Sequence, residues 1–237
     1  MAQKKLKRFA EIETFSNVYQ YPVNMQGRWS EIFENENPIT LELACGKGEY
    51  ALGLGRLYPD RNFIGIDLKG NRIWVGARTA IREKLNNIVF LRTQIDKLSN
   101  YFRSGEVKEI WITFPDPQLK NSKFKKRLTH PRFLRIYQSI LKTGGFVHLK
   151  TDSPNLYHFT KLVINLYKLE LVEDYDDLYR QEAIPDILRI KTHYESLDIA
   201  QSRRVHYLKF KLPASSLEDY DNHLKELIFN NAIERGS

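Results

Sequence analysis

The sequence predicts an α/β fold with a mostly parallel sheet and an antiparallel edge strand, on three observations. From residue 39 onward, short β-rich runs alternate with helical patterns. A glycine turn joins the first run to the first helix. Two more strand candidates follow the last of these helices. Strands alternating with helices imply βαβ units, whose crossovers make the sheet parallel.

The β-rich runs are 39–44, 63–68, 88–92, 109–114 and 146–150. Helical spacing of apolar residues covers 49–58, 71–85, 131–141 and 154–167. Ser153 before Pro154 is an N-cap followed by proline at the first helical position, where the missing N–H costs nothing. Thr129 is the expected cap for the helix starting near Pro131, and Gly144-Gly145 its expected end. The late strands are 169–175 and 205–212. The second alternates, with Tyr207, Lys209 and Lys211 on one side, so one wet face is expected. These boundaries give an N-terminal arm over 1–38, partly mobile, a main domain over 39–212 and a C-terminal helical extension over 213–237.

A length of 237 residues suits one such domain with extensions. With 28% charged residues and no apolar run of eighteen, no membrane partner is expected. The first thirteen residues lack a signal-peptide core, and Cys45 is the single cysteine. Both fit a cytoplasmic protein with neither disulfide nor metal site. The formal net charge is +8, and seven cations between Gln118 and Arg135, with no acid among them, nearly account for it. Such a run is a polyanion footprint or a solvated loop. Its partner under the first reading is a nucleic acid.

Residues 41–49, Leu-Glu-Leu-Ala-Cys-Gly-Lys-Gly-Glu, end the first strand and open the first helix. Gly46 and Gly48 let backbone approach a ligand at the carboxyl edge of the sheet. Asp67 ends the second strand, 19 residues after Gly48, where a carboxylate reaches ribose hydroxyls. Ala51 replaces a third glycine, and Glu42 would repel a diphosphate. The same carboxylate suits the positive methionyl end of S-adenosylmethionine. Otherwise Glu42 is a strand-end surface residue and the glycines merely turn the chain.

Phe114-Pro115-Asp116-Pro117 ends the fourth strand, and Lys-Lys-Arg-Leu-Thr-His-Pro follows at 125–131. Later come His-Leu-Lys-Thr-Asp at 148–152 and Thr-His-Tyr-Glu at 192–195. In order and spacing, residues 41–212 resemble the bacterial-type tRNA (guanine-N7-)-methyltransferase family. The resemblance implies a Rossmann-like class I fold, S-adenosylmethionine as cofactor, and methylation of guanine 46 in the tRNA variable loop. It implies that Glu42, Asp67 and Asp116 contact the cofactor and that Asp116 is catalytic. The family's usual aspartate after the third strand falls on Gln94, whose amide can still bond an adenine edge. Lys120, Asp152, Thr192, His193, Tyr194 and Glu195 fall on substrate-binding positions, with Glu195 facing the purine N1 and amine edge. Ser122, Lys123, Phe124, Lys125, Lys126 and Arg127 fall on the RNA-contacting loop. Gln118-Leu119 stands where members carry Trp-Pro, and Ala44 where many carry glycine. The expected assembly is a monomer or a homodimer.

Each site residue also has a plainer role: Asp116 can close a turn, Asp152 can cap a helix, and Tyr194 can be a packed loop aromatic. His130 suits helix entry as well as phosphate, and Trp111 and His148 suit the core. Three other functions stay open: methylation of another target, a non-catalytic RNA-binding subunit, and a nicotinamide-dependent oxidoreductase. Glu42 and the missing third glycine disfavour the last.

Overall fold

The computed structural model describes residues 2–197 and 204–234. Residues 1, 198–203 and 235–237, parts of the expected arm, main domain and extension, lie outside the described residues. Eight strands form one sheet in the order β1-β4-β3-β2-β5-β6-β8-β7. They are β1 (Val18–Gln20), β2 (Ile39–Leu43), β3 (Asn62–Asp67), β4 (Ile88–Arg92), β5 (Val107–Thr113), β6 (Leu141–Thr151), β7 (Glu170–Tyr175) and β8 (His206–Lys211). The first six pair in parallel, while β8 runs antiparallel to both β6 and β7.

All residues of β2 and β3 are buried, as a parallel sheet covered on both faces requires. The covering helices are α3 (Glu49–Leu57), α4 (Gly70–Arg82), α5 (Pro131–Ile140) and α6 (Pro154–Leu166). One core surrounds Leu41, Ile64, Ile110, Leu134 and Leu149; the other surrounds Tyr50, Phe63, Ile73, Phe90 and Trp111. Trp111 and His148 belong to the second face, stacked with ring centroids 3.9 Å apart.

The region before Ile39 contributes regular structure. Helix α1 (Ala2–Ile12) packs on α4, where Trp74 Nε1 donates to Glu11 Oε2 at 2.7 Å and Ile12 is buried. The short helix α2 (Trp29–Phe33) buries Trp29, and β1 extends the sheet beyond β4. β8 lies between β6 and β7, where Tyr207 is buried while Lys209 and Lys211 on the same side are partly exposed, and β7 is the antiparallel edge. Helix α5 is capped by His130, whose Nδ1 accepts from Arg132 N at 3.1 Å. Thr129, the expected cap, instead bonds Thr160 Oγ1 at 2.7 Å. The helix ends at Ile140, before Gly144-Gly145, which lie within β6. Helix α9 (Asp221–Glu234) closes the chain.

Candidate active site

The carboxyl ends of β2, β3 and β4 form the first half of the site. Gly48 caps α3 at φ 69°, and a Cβ there would meet the Phe90 ring at 2.5 Å, so only glycine fits. Asp67 accepts from two backbone amides, Gly46 N at 2.9 Å and Lys69 N at 2.8 Å. A carboxylate offers about four acceptor positions, so Asp67 keeps capacity for a ligand's hydroxyls. Ala44 sits at φ 54°, a left-handed conformation costing a Cβ-bearing residue roughly 1 kcal/mol. Its methyl is therefore not a neutral replacement for glycine.

Ala44, Asp67, Leu68, Thr93, Gln94, Ile95, Asp96, Leu128 and Phe133 line a slot of about 240 Å³. Apolar walls between a carboxylate and an amide suit a nucleoside-sized ligand. Asp96, two residues beyond Gln94, joins this lining and forms an ion pair with Arg132. A larger concavity of about 540 Å³ lies around Pro38, Asn62, Lys142 and Gly144, at the opposite, amino end of the strands. Open parallel sheets bind ligands at the carboxyl ends, which favours the smaller slot.

Glu42 is buried in the second strand position from that edge, not on the surface. It accepts from Ala51 N at 2.8 Å and from Thr113 Oγ1 at 3.0 Å. Burial pushes its carboxyl up to about 8, against the two hydrogen bonds, which favour the charged form. Burial thus favours its neutral form.

The second half begins where β5 ends. Phe114 and Gln118 have φ of 46° and 49°, flanking the exposed Asp116 with two left-handed residues. Asp116 Oδ1 accepts from Gln118 N at 3.0 Å, which fixes its rotamer while leaving the carboxylate open to solvent. Such strain persists where the surroundings impose it and gathers at functional sites. The basic run then forms a 3-10 turn, Asn121–Lys126. Lys120, Ser122, Lys123, Lys125 and Lys126 are exposed. Phe124 and Arg127, expected to touch RNA, face inward. Phe124 packs on His130 and Phe229, and the Arg127 guanidinium lies 4.5 Å from the Phe159 ring centroid and donates to Gln118 O. Arg132 pairs with Asp96 and Arg135 with Asp221, leaving the lysines as the run's outward charge. His130 serves helix entry, and burial pushes its imidazole down to about 4.

The third component is a pocket of about 430 Å³ lined by Asp152, Tyr179, Lys191, Glu195, Ser196, Arg204 and Val205. Ser153 takes the N-cap of α6 with its hydroxyl, so Asp152 is not the capping residue. Thr192 and Glu195 form a capping box for helix α8 (His193–Leu197). Glu195 N donates to Thr192 Oγ1 at 3.2 Å, and Thr192 N donates to Glu195 Oε2 at 3.3 Å. Glu195 Oε1 also accepts from Tyr179, and Oε2 from Lys150 Nζ at 3.1 Å. Glu195 is therefore engaged by protein on both oxygens. His193 is exposed, and Tyr194 leans toward the glycine turn, where a Cβ on Gly46 would stand 3.9 Å from its ring.

Lys150 was not singled out by the sequence, and it is fully buried. Burial pushes its ammonium below the usual lysine range, against the opposing pull of Glu195. The sequence signal for Glu195 was present in Thr-x-x-Glu, the capping-box spacing. Nothing in the pattern around Lys150 distinguished it from a surface lysine at a strand end.

A family profile described as "Putative methyltransferase" matches residues 36–208. A protein of Bacteroides thetaiotaomicron named tRNA (guanine-N(7)-)-methyltransferase is 43% identical over 222 residues, covering 90% of this chain and 87% of the relative. One of the same name from Porphyromonas gingivalis is 47% identical over 213 residues, covering 85% and 86%. Among solved structures, the 16S rRNA methyltransferase KamB aligns with a TM-score of 0.58 at 16% identity, over 78% of this chain and 93% of that one. At that identity the likeness speaks to the fold, which is the Rossmann-like fold of S-adenosylmethionine-dependent methyltransferases. On its sequence relatives, this chain belongs to the tRNA (guanine-N(7)-)-methyltransferase family.

Proposed function

We propose that this chain transfers a methyl group from S-adenosylmethionine to N7 of guanine 46 in the tRNA variable loop. The carrying observation is one sheet edge that holds both a nucleoside-sized slot and, beside it, a rigid exposed aspartate followed by outward lysines. The activity in the names of the relatives supports the same reading.

Asp67 and Gln94 hold the ribose and adenine, while Gly46 and Gly48 let the backbone approach the methionyl part. Glu42 lies beneath that turn and takes on charge as a cation settles above it. When bound, S-adenosylmethionine supplies an electrophilic methyl on a sulfonium centre. Guanine N7 has an in-plane lone pair and no proton, so the chain needs no general base. Its contribution is placement and negative charge near the guanine as it becomes cationic. Asp116 supplies that charge at a fixed position. Lys120, Lys123, Lys125 and Lys126 contact phosphates, with Ser122 among them, which sets register without reading bases. Asp152 accepts from the N1 and amine edge of the guanine, and residues 192–195 wall the pocket.

The test is to incubate the chain with unmodified tRNA transcript and methyl-labelled S-adenosylmethionine, then map the labelled nucleotide. Label as 7-methylguanosine at position 46 is expected. Label on another atom or position, or calorimetric binding of NADH in place of S-adenosylmethionine, overturns the reading.

A further inference from the structure

Residues 184–197 cross the carboxyl edge as a strap carrying helices α7 (Asp186–Arg189) and α8. One side chain of the sheet holds it. Lys150 Nζ donates to Leu188 O at 2.9 Å, Ile190 O at 2.9 Å and Glu195 Oε2 at 3.1 Å. An ammonium has three protons, and all three are used inside the protein. Lys150 therefore has none left for a substrate. Two further features seat the same strap. Tyr50 OH donates to Ile187 O at 2.5 Å, and Ile190 fills the notch left by Gly53 on α3, where a Cβ would stand 2.6 Å from its side chain.

The strap is also held by the Thr192–Glu195 capping box and by Leu188, which is buried with Ile184, Ile187 and Ile190 packed on the same core. Its helices span four and five residues, well below the length at which a helix is stable alone. Lys150 gives the carbonyls of Leu188 and Ile190 a partner from the sheet. From this strap Tyr194 reaches the Gly46 turn, and Glu195 and Ser196 line the pocket of Asp152. The strap is thus a wall common to the cofactor turn and the substrate pocket.

We propose that Lys150 is a positioning residue for methyl transfer: by clamping two strap carbonyls and Glu195, it holds Tyr194 and the pocket wall in register with the cofactor turn. This rests on the methyltransferase reading above. Its loss acts on the geometry of the reacting groups, whereas tRNA capture stays with the exposed lysines and nucleoside binding with β2–β4.

The test uses the full chain carrying Lys150→Met, assayed with tRNA transcript, with turnover expressed per site that binds S-adenosylmethionine in calorimetry. That normalisation removes any fraction that has not folded. The expected kcat per competent site falls about 100-fold, the scale of an ångström of misplacement. KM for tRNA stays within about threefold, because the phosphate contacts are untouched. Lys150→Arg, which keeps charge and donors, recovers part of the loss. Should Lys150→Met fail to fold, Tyr50→Phe decides. It removes one tether and is expected to lower kcat by about threefold to tenfold, the worth of one hydrogen bond. Unchanged kcat per site in the variant that folds overturns the proposal, and so does a loss confined to KM. If the wild-type chain methylates no tRNA, it is the methyltransferase reading that has failed, and this proposal falls with it.

Discussion

The two halves of the carboxyl edge are built in different ways. On the β4-β3-β2 side, the candidate groups sit on strand ends or the first turn beyond them, and their partners are mostly backbone amides of that same edge, Gly46 and Lys69 for Asp67 and Ala51 for Glu42, with the Thr113 hydroxyl of β5 joining at Glu42. On the β5-β6-β8-β7 side, the groups ride on three separate loops. Two long side chains hold them, Lys150 reaching from β6 to the strap and Arg127 closing its own loop onto Gln118. The first half depends on main-chain geometry that many sequences can supply, and the second on a few buried cations that few substitutions can replace.

Asp116→Ala probes the loop side at its most exposed point and carries the largest expected effect. Turnover should drop by roughly 100-fold to 1000-fold, the range for losing one preorganised electrostatic group. Tm should hold, since Asp116 is exposed and its one described hydrogen bond is to the adjacent turn. Near-wild-type turnover would remove Asp116 from the chemistry.

Asp67→Ala is the matching change on the strand side. Here affinity for S-adenosylmethionine should fall by about 2–3 kcal/mol, the cost of hydrogen bonds to a charged group. Two amides also lose their acceptor, so Tm should fall with it. A calorimetric affinity equal to wild type would contradict the ribose assignment.

Splitting the basic run sharpens the comparison further. Replacing Lys123, Lys125 and Lys126 by alanine should flatten the slope of log affinity for tRNA against log salt by about two to three units. Arg127→Ala should leave that slope alone and lower stability by about 1–3 kcal/mol, because it uncovers Phe159 and releases Gln118 O. A slope change from Arg127 and none from the lysines would reverse the assignment of inward and outward charge.

A pH dependence on the strand side comes last, read as a slope of stability against pH and not as a loss of function. The Glu42 carboxyl titrates at about 8 in the fold against an ordinary 4.5. Between those values the unfolded chain has lost that proton and the folded chain keeps it, so this group makes stability fall as pH rises. Its contribution is largest below 4.5 and levels off above 8. Glu42→Gln should therefore show a shallower decline of Tm from pH 5 to pH 8, measured without cofactor. Parallel profiles for the two proteins would mean Glu42 ionises normally in its buried position.

This division also explains what the sequence made legible. Strand β4 matched its expected bounds, and β2, β3, β5 and helices α3 to α6 came close, because period and caps are local signals. Strand β1 has three residues, too few for alternation to register, whereas α1, which packs on α4, carries an amphipathic pattern that the expectation of an arm over 1–38 passed over. The position of β8 between β6 and β7 depends on long-range pairing that no local window contains. The placement of Glu42, Gly46 and Asp67 at the carboxyl edge was readable from the order of strands and turns, whereas Gln94 and Asp116 came to notice through the family resemblance. Phe124 and Arg127 were misjudged because charge and order along a loop do not say which side faces in. Lys150 was invisible for the same reason, since its burial depends on a strap forty residues later.

The Arg127 contact closes residues 118–127 into a ring whose two ends carry different tasks, the Asp116 turn at one and the lysine turn at the other. The entropy of closing a loop that size is lost once, when the chain folds, and not at each meeting with RNA. Under the proposed function, an incoming tRNA meets a loop backbone already closed beside Asp116, and a change that loosens the ring should appear first as a slower association rate.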